Sequence, residues 1–126
     1  MFHNEDDVKL LKDIIDCCVR IIKHTNGVDY LNFEVDLDKI AIVERLLEII
    51  GQAAKKICSE THATLNHIPW PKMISLRNKL AHEYGDILVS WLWYIAKNSI
   101  PELLNELNNI DELKDYVIES KKRFQA

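Results

Sequence analysis

The chain has 126 residues, 48% of them hydrophobic and 29% charged, with a formal net charge of −4 at pH 7. That length suits a single domain spanning 1–126 and able to bury a core without staples, and the composition excludes disorder. The acidic balance excludes broad sequence-independent DNA binding, which needs many cations along one face, but leaves room for a small basic cleft gripping one or two phosphates.

Three glycines and three prolines leave few connections, so several longish helices are expected rather than many short strands. The segment Met1 to Asp7 is acidic and lacks the basic-then-apolar layout of a signal peptide. No apolar run approaches the ~20 residues that a membrane-spanning helix needs. Cys17, Cys18 and Cys58 are odd in number, and two are adjacent. They form neither a disulfide framework nor a metal-binding pair, and are expected to be small buried apolar residues in a cytoplasmic protein.

A first helix is expected over residues 5–24, where Val8, Leu11, Ile15, Cys18 and Ile22 recur at steps of three and four. Asn4 is its expected cap and Asn26-Gly27 its stop. Residues 28–35 alternate weakly, and a lone strand has nothing to pair with, so they read as an extended connection. The second helix, over 38–59, carries the stripe Ile40, Val43, Leu47, Ile50, Ala54 and Ile57, widened by Leu46, Ile49 and Ala53. So broad an apolar face suits a central helix with more than one neighbour. Gly51 inside it costs about 1 kcal/mol relative to alanine and marks close helix–helix approach.

Residues 60–68 read as a short helical turn or loop. Pro71 suits the first turn of a third helix reaching Tyr84. Gly85-Asp86 closes it and caps a fourth over 86–98, containing Trp91, Trp93 and Tyr94. Ser99-Ile100-Pro101 restarts the chain into a fifth helix, and residues 111–124 form a charged, amphipathic sixth. The aromatic trio is expected in the core or a dimer interface, and the tail is expected to be mainly a solvated helix face. His62 and His67 lack the one-turn spacing of a helical metal pair and read as loop residues.

The chemistry concentrates in Arg77-Asn78-Lys79-Leu80-Ala81-His82-Glu83-Tyr84. Arginine offers planar paired donors that match a phosphate, and histidine can move a proton near neutral pH. Such a pair, without carboxylate partners, suits metal-free RNA cleavage. His82 would deprotonate the ribose 2′-hydroxyl and Arg77 would stabilise charge on the phosphorane, with Asn78 and Lys79 supporting. DNA lacks that hydroxyl. On one continuous helix Arg77 and His82 lie about 140° apart, so a compact site needs a helix break near 81–85 or a second copy of the chain. A two-fold dimer is the favoured solution.

R-N-K-L-A-H-E-Y resembles the R-x-x-x-x-H-x-Y motif of HepT proteins, the HEPN toxins paired with MntA-type minimal nucleotidyltransferase antitoxins. Val43 to Lys56 is similar to that family's second core helix, Ile68-Pro69-Trp70 to its lead-in, and Leu92-Trp93 to the tryptophan that follows. The likeness covers roughly residues 8–107. It implies an all-α, up-and-down HEPN bundle of about five or six helices. It also implies a homodimeric ribonuclease toxin that uses no metal or other cofactor and acts on RNA, neutralised by adenylylation of the motif tyrosine. Carried over, catalysis falls on Arg77 and His82 and modification on Tyr84. The alternative is a catalytically idle HEPN partner of a nucleotidyltransferase. Gln52 departs from the Gly-Glu-Ala common in the family, which would leave the cleft one charge fewer.

Overall fold

The structure, a computed structural model, describes residues 5–82 and 88–126, and of His82 only the backbone. Asn4, Tyr84 and Gly85-Asp86, to which caps, a stop and a modification were assigned, lie outside the described residues. The described elements are all helical: α1 (Glu5–Thr25), α2 (Tyr30–Phe33), α3 (Leu37–Lys56), α4 (Ser59–Thr64), α5 (Trp70–His82), α6 (Val89–Tyr94), α7 (Ile100–Asn108) and α8 (Lys114–Phe124). The expected all-α bundle is therefore present. Five of these, α1, α3, α5, α7 and α8, have nine residues or more. None is long and apolar enough to cross a membrane, among the described residues.

The core is organised around α3, which packs on α1 along one side and α5 along another. Eight of its nine expected stripe residues are buried, and Ile49 is half-buried. That width explains how one helix serves two neighbours. On α1 the expected stripe residues Leu11, Ile15 and Cys18 are buried, Val8 and Ile22 are only half-buried, and Ile14, Cys17, Val19 and Ile21 join the buried set. The helix ends as expected, with Gly27 at φ +73° just past its last turn, where a side chain would be strained. Two lysines then serve its last carbonyls: Lys39 Nζ donates to His24 O at 2.7 Å and Lys97 Nζ to Thr25 O at 3.2 Å.

Two connections differ from the sequence expectation. Residues 28–35 are not extended throughout, because Asp29 accepts a hydrogen bond from Asn32 N at 2.9 Å and nucleates the single turn α2. At i and i+3, Tyr30 and Phe33 then both reach Trp93, with ring centroids 6.1 and 4.9 Å away. That tertiary contact overrides the weak strand-like alternation. The chain also does not break at Ser99-Ile100-Pro101. A π-helical turn over Ile95–Ser99 joins α6 to α7, and Ile100 N–H bonds back to Ile95 O. Proline removes a ladder donor and crowds the preceding turn, and the widened turn absorbs this without ending the helix. The tail is the largely solvated, amphipathic helix expected, and it docks along one face. Tyr116 Oη and Ser120 Oγ donate to the Asp16 carboxylate at 2.8 and 2.7 Å, and Val117 is buried.

The α3–α4 connection is tied to α1 by a buried carboxylate. Asp7, only 1% exposed, accepts from Cys58 N at 3.2 Å, Cys58 Sγ at 2.8 Å and Thr61 Oγ1 at 2.5 Å. Burial alone would raise its pKa, but hydrogen bonds from Cys58 and Thr61 outweigh that and hold it below the ordinary carboxylate value. Replacing Asp7 by alanine strands several donors, so Asp7→Ala is expected to cost about 3 kcal/mol. At this chain length that is a fall of roughly 10 °C in Tm. Because the folded pKa is depressed, the contribution is fully present above the unfolded value near 4 and is lost as pH falls through the folded value. Urea titrations of wild type and Asp7→Ala between pH 6 and 2 check this. The gap between their midpoints should be wide at pH 6 and close toward pH 2; a constant gap would refute it.

Candidate active site on the α3–α5 crossing

Helix α5 is positioned at both ends of its first turns. Trp70 is buried and its Nε1–H donates to Leu65 O at 3.1 Å. The His62 ring stacks on Trp70 at 4.6 Å and pairs through Nε2 with Ala54 O at 2.8 Å. His62, expected in a loop, therefore lies in α4 and braces the start of the motif helix against α3. Pro71 sits in the first turn, as its missing N–H allows.

One turn further on, α5 crosses α3 at Gly51. A Cβ built there would overlap Arg77 Cβ and lie 2.8 Å from Met73 O. The interior glycine thus marks a close approach, as expected, and the residue approached is Arg77. Arg77 is half-buried. Its Nε is buried without a hydrogen-bond partner, and its NH1 makes one long bond, 3.4 Å, to Asn78 Oδ1. Among the described residues it forms no ion pair, whereas Arg45 and Arg123 both pair with carboxylates. The Nε–H has lost hydration without gaining a partner, while the NH1 end of the guanidinium stays exposed. An incoming phosphate oxygen would satisfy it.

The other candidates are distributed around this helix. Asn78 touches Arg77 directly. Lys79 lies about 200° around the helix from Arg77, with Nζ 5.6 Å from the Trp91 ring centroid. There it lines a groove of about 660 Å³ between α5 and the α6–α7 helix, with Met73, Leu76, Trp91, Leu103 and Glu106. The Glu106 Oε2 atom on that groove is buried without a partner. Of the aromatic trio, Trp93 packs on Phe33 and Tyr30, Trp91 is half-buried, and Tyr94 is 59% exposed. The helix continues regularly through His82, so no break precedes the histidine, and Arg77 and His82 keep their separation around one axis. Gln52 donates to Glu48 Oε1 at 3.3 Å on its own helix.

Two of the three cysteines are the small buried residues expected. Burial pushes the Cys17 thiol up to about 12 and raises Cys18 as well. Cys58 departs from that reading: it is half-buried and its thiol serves the Asp7 carboxylate. Among the described residues no three His, Cys, Asp or Glu side chains gather as a metal site would require. Sequence reasoning missed Asp7. Its signal was a carboxylate in phase with Leu11, Ile14 and Cys18 on the buried face of α1.

Comparison with known proteins shows the family of the chain. A family profile described as "Ribonuclease HepT-like" matches residues 14–110. A Methanocaldococcus jannaschii protein named "Putative RNase MJ1380" is 35% identical over 103 residues, covering 80% of this chain and 94% of the relative. The "Probable ribonuclease HepT" of Thermococcus cleftensis is 33% identical over 100 residues, covering 79% and 91%. No solved structure gives a significant match.

Proposed function

The chain belongs to the HepT-like ribonuclease family, and from that premise we propose that it is a metal-independent ribonuclease acting through Arg77 and His82. The observation that carries the proposal is Arg77, whose guanidinium is held at the Gly51 crossing with a buried, unpartnered Nε and no neutralising carboxylate among the described residues. His82 removes the ribose 2′-hydroxyl proton. The 2′-oxygen attacks the adjacent phosphorus, and the bond to the 5′-oxygen breaks as that oxygen takes a proton from water, leaving a 2′,3′-cyclic phosphate and a 5′-hydroxyl, while the proton on His82 returns to solvent. Arg77 bonds the phosphoryl oxygens as charge accumulates in the transition state. Asn78, already bonded to Arg77, helps orient it, and Lys79 adds positive field.

The working unit in this reading is a homodimer. The regular course of α5 through His82 supports it, because residues 77 and 82 of one helix point about 140° apart. A two-fold axis beside α5 would bring Arg77 of one copy toward His82 of the other. The protein acts as the toxin of a toxin–antitoxin pair, with a minimal nucleotidyltransferase as the antitoxin that modifies Tyr84. The resemblance of R-x4-H-x-Y supports that role.

A direct test is cleavage of RNA in the presence and absence of EDTA, with end-group analysis. Cleavage is expected to persist in chelator, to leave 2′,3′-cyclic phosphate or 3′-phosphate ends, and to stop at a 2′-deoxy position. Activity abolished by EDTA and restored by magnesium would overturn the mechanism.

A further inference from the structure

Gly51 has no side chain to contribute, yet the residue it touches is the one on which the proposed chemistry depends. A methyl group at this position would overlap Arg77 Cβ, stand 2.8 Å from Met73 O and 3.0 Å from Arg77 Cγ. Two of those three atoms cannot swing away. Cβ is fixed by the backbone, and the Met73 carbonyl is the one that an α-helix pairs with the Arg77 N–H. Relief therefore requires α5 to translate or roll against α3, or the turn ending at Arg77 to distort. Restoring ordinary carbon–carbon contact calls for a shift on the order of 1–2 Å.

We propose that Gly51 is a positioning residue for Arg77. Its bare α-carbon lets α5 settle close enough to sink the Arg77 stem against α3, which seals Nε from water and fixes where the guanidinium stands. This rests on the reading of Arg77 as the phosphate ligand. A glycine here costs about 1 kcal/mol of helix propensity relative to alanine, and close approach at Arg77 is what the chain gains for it. The neighbours of Gly51 on α3 do not take the role. Leu47, Ile50 and Ala54 are buried apolar residues of the core, and Gln52 is bonded to Glu48.

The test reads the arginine itself, by NMR of its Nε–H, as well as the rate of RNA cleavage. The Arg77 signal is identified by its absence from Arg77→Lys. In the wild type this proton should exchange slowly with water. In Gly51→Ala its exchange should speed up about tenfold or more, and kcat should fall by roughly 100-fold, the scale of a 1 Å misplacement. An unchanged Nε–H in folded Gly51→Ala overturns the proposal, whatever the activity. A wild type that cleaves no RNA sinks the ribonuclease reading, while the Nε–H comparison still judges the positioning. Should Gly51→Ala not fold, the double variant Gly51→Ala/Arg77→Gly moves the bare α-carbon to the facing helix. Recovery of the fold locates the decisive clash at the Arg77 side chain, whereas failure to recover puts it at the Met73 carbonyl and overturns the proposal.

Discussion

Arg77→Ala is expected to slow RNA cleavage by about 10²–10³-fold while leaving the fold intact. The rate loss follows from removing a preorganised donor aimed at charge that develops only in the transition state. Stability should change little, because opposing effects meet at this side chain. Truncation loses the packing of the arginine stem at the α3 crossing. It also removes a buried Nε that has no hydrogen-bond partner, relieving a desolvation cost of roughly 1–3 kcal/mol. Arg77→Lys sharpens the argument. It keeps the positive charge but loses the planar fork, so it should recover only a minor part of the lost rate. Single-turnover cleavage of a short RNA, with thermal unfolding of the same preparations, measures both. Wild-type rates in folded Arg77→Ala would remove Arg77 from the mechanism.

The elements with strong local signals were legible in the sequence. The wide stripe of α3, the Asn26-Gly27 stop and Pro71 at the start of α5 each obey a local rule, and α1 and α3 lie within three residues of their expected bounds. What escaped was set by long-range contact. The turn α2 exists because Tyr30 and Phe33 find Trp93, sixty residues away. The helix runs on through Pro101 because a π turn repairs the ladder, whereas sequence alone favours a break there. His62 looks like a loop residue until Trp70 and the Ala54 carbonyl are beside it. At the site, the spacing of Arg77 and His82 could be read directly, and so could the geometric conflict between them. The identity of the residue facing Gly51 could not, since a glycine announces a close approach without saying what approaches.

The second large effect expected is at Tyr84, the residue proposed above for modification. In the sequence Tyr84 stands two residues after His82 and seven after Arg77. Adenylylation there would esterify the phenol with AMP, adding a phosphodiester that carries one negative charge beside the residues proposed to grip RNA. Arg77, with donors unspent among the described residues, is the natural partner for that charge, so the modified tyrosine would compete with the substrate phosphate for the same guanidinium. In the proposed mechanism the proton transfer falls to His82 and not to the phenol. Tyr84→Phe should therefore cleave RNA within about a factor of three of the wild type, since it removes neither the base nor the charge-stabilising donor. Incubated with a minimal nucleotidyltransferase and ATP, the wild type should gain the mass of AMP and lose activity. Tyr84→Phe should gain no mass and stay active. Intact-mass spectrometry paired with the cleavage assay reads both at once. A wild type that is silenced by the partner without any gain in mass would show inhibition by binding alone, and the covalent switch would be wrong.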